Sequence, residues 1–512
     1  MSARIRTILV SAAAILLIAG VAGALWFSTH FSPIARDHVI KAIEDRFDSD
    51  VELKNFTISL LPRPHAVGEG LLLRYKKRTD VAPLVSIRRF TFDAGFAELL
   101  EHPIRVHALR LEGLQIHVPP RRPEDQEAQQ EKPKTAVFVI DDVIANGTLL
   151  EILPKQEGKE ALDFELSKLT LHGAGINSPM TFRATMTNAK PPGNIQTSGE
   201  FGPWHQGDPG ETPVSGSYTF RNANLSVFKG ISGTLSSDGK YHGTLGHIET
   251  AGTTDTPDFS VSTGGHPVHL TTEFHSVVDG TDGDTYLQPV TAHFLNSTIV
   301  ASGKVEGKKG QKGKTITLDA MTKGARIEDM LRLVVKADKP LMKGSLGFQA
   351  KFIIPPGDRD VMHKLELKGG FGISGAHFTT PAIQEKVNTL SKKGRGKPEE
   401  ESSESAVSNL RGRFEINNAA VHFSKLSFDV PGAAVQVSGK YGLADEALDF
   451  DGTLALQAKL SQTTTGFKST LLKLFDPLFS RKGSGAVVPF EITGTRANPS
   501  FKLDVKRALA RE

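Results

Sequence analysis

Near the C-terminus, Leu448, Phe450, Leu454, Leu456, Ala458 and Leu460 share one parity of the chain, with Gly452 in register. The other parity holds Asp449, Asp451, Thr453, Gln457 and Lys459. Successive residues of a strand point to opposite faces, so this pattern specifies a sheet with one apolar and one wet face. The same alternation recurs in Phe414/Ile416, Val421/Phe423, Leu426/Phe428/Val430 and Val435/Val437. In looser form it runs from Ala136 to about Lys323, for example in Phe164/Leu166, Leu169/Leu171, Tyr218/Phe220, Val268/Leu270, Val290/Ala292/Phe294 and Ile316/Leu318. The 49 glycines and 28 prolines, with Asp and Asn, punctuate these runs as turns do in a mainly β chain. There is no strict fixed-length repeat.

The N-terminus obeys a different rule. Ile8 to Phe27 carries no charge and no proline. At about 1.5 Å per residue, a helix of roughly 20 residues spans ~30 Å, the thickness of a bilayer's hydrocarbon core. Arg4 and Arg6 precede it, and Trp26 and Phe27 close it at headgroup level. A signal peptide cleaved after Ala22-Gly23-Ala24 is the competing reading. The apolar run continues through Leu25, Trp26 and Phe27, past that point, which favours an uncleaved anchor. Either reading sends the following body across the membrane, and the basic stub stays in the cytoplasm.

Helical spacing appears in a few places. Pro33 to Phe47 carries Ile34, Ile40, Ile43 and Phe47 and is expected to cap the sheet that follows. Phe96, Leu99 and Leu100 point to a short helix. Further helices are expected over Ala325–Ala337, Pro381–Leu390 and Phe467–Phe479. In the first strand the apolar parity switches between Val51/Leu53 and Phe56/Ile58/Leu60, which requires a bulge or a turn. Pro119 to Lys134 is nearly all proline and charge and reads as a linker, Pro191 to Pro213 as a loop-rich interruption, and Lys392 to Ser408 as a charged loop. The chain thus divides into a stub and anchor over 1–32, a helix and β segment over 33–118, a linker over 119–134, a middle β region over 135–325 and a C-terminal β region over 326–512 containing the charged loop 392–408.

The composition removes several function classes. The chain has 61 basic and 57 acidic side chains, a net charge of +4, and so no field suited to nucleic acid. It has no cysteine, which excludes disulfides, thiolate metal sites and a cysteine nucleophile. His266 and His269 fall on opposite faces of a strand and cannot share a metal. Gly307 to Thr315 resembles a phosphate loop only superficially: Lys308 stands where that loop needs its first glycine, and no helix follows. Gly483-Ser484-Gly485 is a turn and not a nucleophile elbow. No catalytic, cofactor or metal constellation emerges. With 29 Phe against 5 Tyr and 2 Trp, the aromatic girdles of a lipid-embedded barrel are also missing.

Gly485 to Val505 resembles the closing motif of the AsmA family of bacterial envelope proteins. There a strand ending in Gly-Thr is followed by an Asn-Pro turn and a last strand, here Gly494-Thr495, Asn498-Pro499 and Phe501 to Val505. The opening strands with Pro62-Arg63-Pro64 and the region Leu410 to Leu460 are similar to that family as well. The resemblance covers both ends and the C-terminal third, and the middle only in style. It implies a protein anchored in the bacterial inner membrane by residues 8–27 with its body in the periplasm, related to bridge-like lipid carriers in which an elongated, curved antiparallel β-sheet forms a trough. It also implies a part in outer-membrane assembly and protein targeting.

A sheet with one apolar face must cover it. Alternation alone favours two sheets packed as sandwiches. The resemblance favours one curled sheet whose burial is completed by acyl chains, each buried CH₂ being worth about 0.8 kcal/mol. On the trough reading Val421, Phe423, Leu448, Phe450, Leu454 and Leu456 line the groove, the ligand is phospholipid or another acyl lipid, and no enzyme activity is expected. A non-catalytic assembly factor acting on outer-membrane proteins without carrying lipid is the alternative.

Overall fold

A computed structural model of the chain describes residues 32 to 504 except 38, 42, 45–48, 60–64, 76–80, 94–103, 119–137, 154–161, 175–178, 204, 206–208, 263–264, 309, 312, 337, 358, 360, 401–404, 444, 466–484 and 496–497. The apolar run Ile8–Phe27, the expected helices at Phe96–Leu100 and Phe467–Phe479, and the linker Pro119–Lys134 lie outside the described residues. Among those described, no helix is long and apolar enough to cross a membrane.

The strands are β1 (Ser49–Ser59), β2 (His65–Tyr75), β3 (Val85–Asp93), β4 (Ile104–Val118), β5 (Phe138–Ile152), β6 (Leu162–Ala174), β7 (Met180–Ala189), β8 (Pro192–Phe201), β9 (Pro213–Asn224), β10 (Ile231–Ser232), β11 (Thr234–Thr244) and β12 (His247–Val261). They continue as β13 (Val268–Val278), β14 (Thr285–Phe294), β15 (Ser297–Gly307), β16 (Lys314–Arg326), β17 (Met342–Ile354), β18 (Glu366–Phe378), β19 (Ser408–Asn417), β20 (Ala420–Val430), β21 (Ala433–Gly442), β22 (Ala447–Leu456), β23 (Ala486–Thr495) and β24 (Pro499–Leu503). All belong to a single 24-stranded sheet. Apart from the two-residue β10, which adds onto β12, each strand pairs with the next in the chain. Among the described residues β1 pairs only with β2 and β24 only with β23, so the ladder is open.

Two expectations are corrected here. The sheet is antiparallel except at one step: β4 and β5 run parallel, Ile104 opposite Phe138 and Val118 opposite Ile152. A parallel pair needs the chain to return the length of a strand, and residues 119–137 make that connection. The interruption expected over Pro191 to Pro213 is shorter than that, because Pro192–Phe201 forms β8 between β7 and β9, and among the described residues of 202–212 there is no strand. The inward residues of β8 are Gly193, Ile195, Thr197, Gly199 and Phe201, too weak an alternation to stand out in the sequence.

The parity switch in β1 occurs within an unbroken strand, and its neighbours share it. Inward residues sit three apart in successive strands: Leu53/Phe56, Gly68/Leu71, Ile87/Phe90 and Leu111/Leu114. Left-handed glycines mark the line, with φ of 66° at Gly70, 64° at Gly113 and 63° at Gly147. Each strand reverses its pleat at the same level, so the apolar face stays on one side.

Helical residues 32–37, 39–41 and 43–44 pack Ala35, Val39, Ile40 and Ile43 against Leu53, Phe56, Leu71, Phe90, Leu111 and Leu114. Ile34 instead points outward, 52% exposed. The same helical residues close the free edge of β1. The Arg36 guanidinium donates to the Leu53 carbonyl at 2.9 and 2.7 Å, Ser32 Oγ accepts from Ile58 N–H at 3.0 Å, and Glu44 accepts from Val51 N–H at 3.4 Å. A covered edge cannot recruit another strand.

The helices Ile327–Val334 and Pro381–Gly394 sit on one rim of the sheet. The first packs Ile327 and Met330 on Ala325, Leu346, Ile373 and Ala376. Its Asp329, buried, accepts from Asn296 N–H at 2.9 Å and Ser297 Oγ at 2.7 Å and ties the helix to the β14–β15 turn. The second runs four residues past the expected end at Leu390 and takes up the start of the charged loop. Ser391 Oγ donates to the Pro431 carbonyl at 2.7 Å, and Gly394 lies against the Gly432 backbone, where a Cβ would collide.

Gly147 tests the pleat reversal cleanly, since nothing lies within 4 Å of a Cβ added there. Gly147→Ala should destabilise by about 1–2 kcal/mol through backbone strain alone, seen as a lower denaturant midpoint. Gly147→Asn should cost less, because Asn tolerates the left-handed region.

Candidate functional site: the apolar face of the sheet

One row of cross-strand partners can be followed along the whole ladder. It begins as Ile58, Ala66, Phe92, Leu109, Val143, Leu171 and Phe182. It passes through Gly199, Gly216, Tyr241, Thr250 and Ser276. It continues as Leu287, Gly303, Leu318, Phe352, Leu367, Ile416, Val421, Tyr441 and Leu448. Because directly opposed residues lie on the same side of a sheet, this row defines one face with two apolar stretches and a different middle.

In several places an aromatic ring reaches over a glycine on the neighbouring strand. A Cβ at Gly239 would come within 2.6 Å of the Tyr218 ring, one at Gly412 within 2.6 Å of Phe371, and one at Gly452 within 2.5 Å of Phe490. Each glycine is the direct ladder partner of its ring. Rings also pair with each other: Phe371 with Phe414 at 6.0 Å and Phe423 with Phe450 at 6.1 Å between centroids. The face is thus lined by rings that meet a glycine or another ring, the two ring pairs tilted at 54° and 38°.

The middle, β8 to β13, is lined by hydroxyls. Thr197 Oγ1 and Tyr241 OH are 2.6 Å apart, Tyr218 OH and Ser237 Oγ 3.1 Å, Thr250 Oγ1 and Ser276 Oγ 2.6 Å, and Thr254 Oγ1 and Thr272 Oγ1 2.7 Å. Burial pushes both tyrosines above their ordinary value, against the lowering effect of the Ser237 and Thr197 hydrogen bonds; the carboxylate of Asp238 adds to the rise at Tyr218. Sequence reading passed over this belt because Tyr218 and Phe220 satisfy the same alternation. The signal was present in the threonines, serines and glycines that fill the inward parity of β8, β11 and β12.

All six residues expected to line a groove share this face, but they divide into two groups. Leu454 and Leu456 pack beneath the helix Pro381–Gly394, with Val387, Leu390, Phe428, Ala486 and Val488. They belong to a covered corner. Val421, Phe423, Leu448 and Phe450 stand farther along the same strands, outside that cluster; Val421 and Phe450 are each 9% exposed through the packing of their sheet neighbours. Along β14–β22 the inward residues Leu318, Phe352, Leu367, Ile416 and Tyr441 are only half-buried although their strands are central. A second sheet against this face would bury them fully, as the inner residues of a sandwich are buried.

The opposite face carries charge. Arg110 pairs with Asp93 at 2.7 Å, Arg221 with Asp238 at 2.6 Å and Arg88 with Glu112 at 3.2 Å, all across the ladder. His269 pairs with Asp255, and the backbone N–H of His266 donates to the Arg332 carbonyl at 2.8 Å. Gly307 and Lys314 are the closing pair of the β15–β16 hairpin, so the glycine- and lysine-rich segment is a turn. Among the described residues no three His, Asp or Glu side chains converge as metal ligands.

Comparison with family models, curated proteins and solved structures finds no match to this chain.

Two predictions follow from the geometry of this face. Leu456→Glu places a carboxylate under the helix and should cost several kcal/mol, releasing Pro381–Gly394 to rapid hydrogen exchange. Leu367→Glu, half-buried on the open stretch, should cost about 1 kcal/mol or less. For the tyrosines, a raised folded-state value means that the neutral form is favoured by folding. That stabilisation is complete below pH 10.0, the ordinary value, and is lost as pH rises through the folded value. Tyr218→Phe/Tyr241→Phe should therefore flatten the alkaline fall in stability of β8–β12, measured by hydrogen exchange against pH.

Proposed function

We propose that this protein is a non-enzymatic lipid-handling protein whose apolar sheet face binds acyl chains, with the body held to a bacterial inner membrane by residues 8–27 and lying in the periplasm. The observation that carries the reading is the apolar face of a single sheet layer, which among the described residues is covered by helices only at its β1 end and along one rim. The resemblance to the AsmA family, which rests on Gly485 to Val505, Pro62-Arg63-Pro64 and Leu410 to Leu460, supports the same reading and supplies the compartment.

The physical argument is one of cover. Burial stabilises by about 25 cal/mol per Å² of apolar surface, and an acyl chain offers such surface without needing a polar partner. Neighbouring strands lie about 4.8 Å apart, so a ladder of 24 strands extends roughly 110 Å, the length of several acyl chains. The hydroxyl belt between the two apolar stretches gives a lipid ester or headgroup something to hydrogen-bond part-way along. On this reading the face curves into a trough with Val421, Phe423, Leu448 and Phe450 on its floor.

Photo-cross-linking from position 423 or 416 in native membranes tests the proposal. Lipid adducts are expected from both, and none from position 440 or 451 on the charged face. Absence of adducts at 423 and 416 in a folded protein would remove the lipid reading.

A further inference from the structure

The charged face gathers cations between β16 and β20. On other strands of it neighbours of opposite sign meet, as at Arg110–Asp93 and Arg221–Asp238, and directly opposed like charges there are carboxylates, Glu151 opposite Asp163 and Asp451 opposite Glu491. Here Lys351 stands directly opposite Lys368, and Arg413 directly opposite Lys425. Like charges directly opposed destabilise a sheet. Arg411, two residues before Arg413 on β19, adds a further cation to the same side. Of these cations only Lys368 has an ion-pair partner among the described residues, Glu415 at 3.9 Å.

The same place is hollow. Lys351, Lys368, Arg411, Arg413 and Lys425 stand around a concavity of about 880 Å³. Gly347 and Gly370 belong to its floor, and the nearest atoms to a Cβ added at these positions lie 4.0 and 3.5 Å away, so the space above them is open. The ladder fixes the arrangement: Gln349, Gly370, Arg413 and Lys425 form one row, and Gly347, Gly372, Arg411 and Ser427 the next. The lysines of β17 and β18 therefore face the arginines of β19 and the lysine of β20 across a glycine floor. Strand spacing of about 4.8 Å puts the two groups roughly 10 Å apart at the backbone, within reach of two linked anionic groups. A volume of this size suits a small ligand, and the guanidinium forks of Arg411 and Arg413 match phosphate oxygens two at a time.

We propose that this concavity is a binding site for a phosphate-bearing anion, on the face opposite the apolar one and independent of what that face holds. A bound anion would relieve the repulsion between Lys351 and Lys368 and between Arg413 and Lys425. Carboxylates at Asp319 and Glu415 border the site and confine the positive field to its centre.

The test uses the full chain in detergent, titrated calorimetrically at low ionic strength with inorganic phosphate and with pyrophosphate, and separately floated with phosphatidylcholine vesicles with or without phosphatidylglycerol. Pyrophosphate is expected to bind more tightly than phosphate. Arg411→Gln/Arg413→Gln should weaken that binding at least tenfold, while Lys440→Gln, on the same face outside the concavity, leaves it unchanged. The double variant should melt no earlier than the wild type, because it removes a repulsion. If only phosphatidylglycerol vesicles bind, and the double variant releases them, the phosphate belongs to a lipid headgroup. If pyrophosphate binds and the vesicles do not, it belongs to a soluble ligand. Binding of neither probe, or binding that the double variant retains, overturns the proposal.

Discussion

The backbone ladder carries this structure, because each strand owes both rows of its N–H and C=O groups to its neighbours in the chain. A buried backbone polar group left unpaired costs as much as a lost hydrogen bond, and in a single layer nothing but the adjacent strand can supply the partner. The order of pairing is therefore the order of the sequence, with the parallel β4–β5 step as its one departure in direction. Stability in such an arrangement is close to a sum of neighbour terms, as in repeat proteins. The first edge shows the cost of stopping: Arg36, Ser32 and Glu44 all turn back to serve β1. At the last edge Pro499 opens β24, and Phe501 and Leu503 remain 67% and 62% exposed.

Register then decides what each face can be. A slip of one residue would exchange the faces, yet the row from Ile58 to Leu448 keeps one side throughout. The glycine line Gly70, Gly113 and Gly147 passes a pleat reversal from strand to strand at one end, and at the other a bulge within β20, between Phe423 and Leu426, absorbs the extra residue while β19 and β21 keep regular spacing. Aromatic rings reaching over glycines follow from the same demand: a ring gains contact by leaning over the neighbouring strand, and glycine leaves room for it.

Much of this was legible in the sequence. The single-parity run Leu448 to Leu460 is β22 as far as Leu456, with Leu460 opening a 3-10 turn, and its charged parity faces the other way, as Asp449 opposite Lys440 shows. The breaks at Ile327–Val334 and Pro381–Gly394 carried helical spacing. What was not legible depended on partners far along the chain. Nothing in β4 or β5 alone announces that they run parallel. Leu454 and Leu456 have the same parity as Phe450, and only the return of the helix Pro381–Gly394, some sixty residues earlier in the chain, separates covered from open. The hydroxyl belt and the cationic concavity share a cause of illegibility: each collects one or two unremarkable residues from several strands, and only the ladder register brings Tyr241 to Thr250 or Arg413 to Lys425.

The cover along the β16–β23 rim can be compared with the surface that asks for it. The helices Ile327–Val334 and Pro381–Gly394 have 8 and 14 residues, hence lengths of about 12 and 21 Å. A helix is about 10 Å across, whereas β16 and β18, at 13 residues each, run some 40 Å from rim to rim. Even laid end to end, the two helices can shelter only the rim half of the strands they touch. That is where Leu346, Ile373, Leu454 and Leu456 are found. Beyond them Leu318, Phe352, Leu367 and Ile416 are only partly covered, and the deficit runs across the strands and not at their ends. Among the described residues nothing else lies on that stretch, and on the lipid reading proposed above a long, flexible, apolar chain lying across several strands would supply the cover.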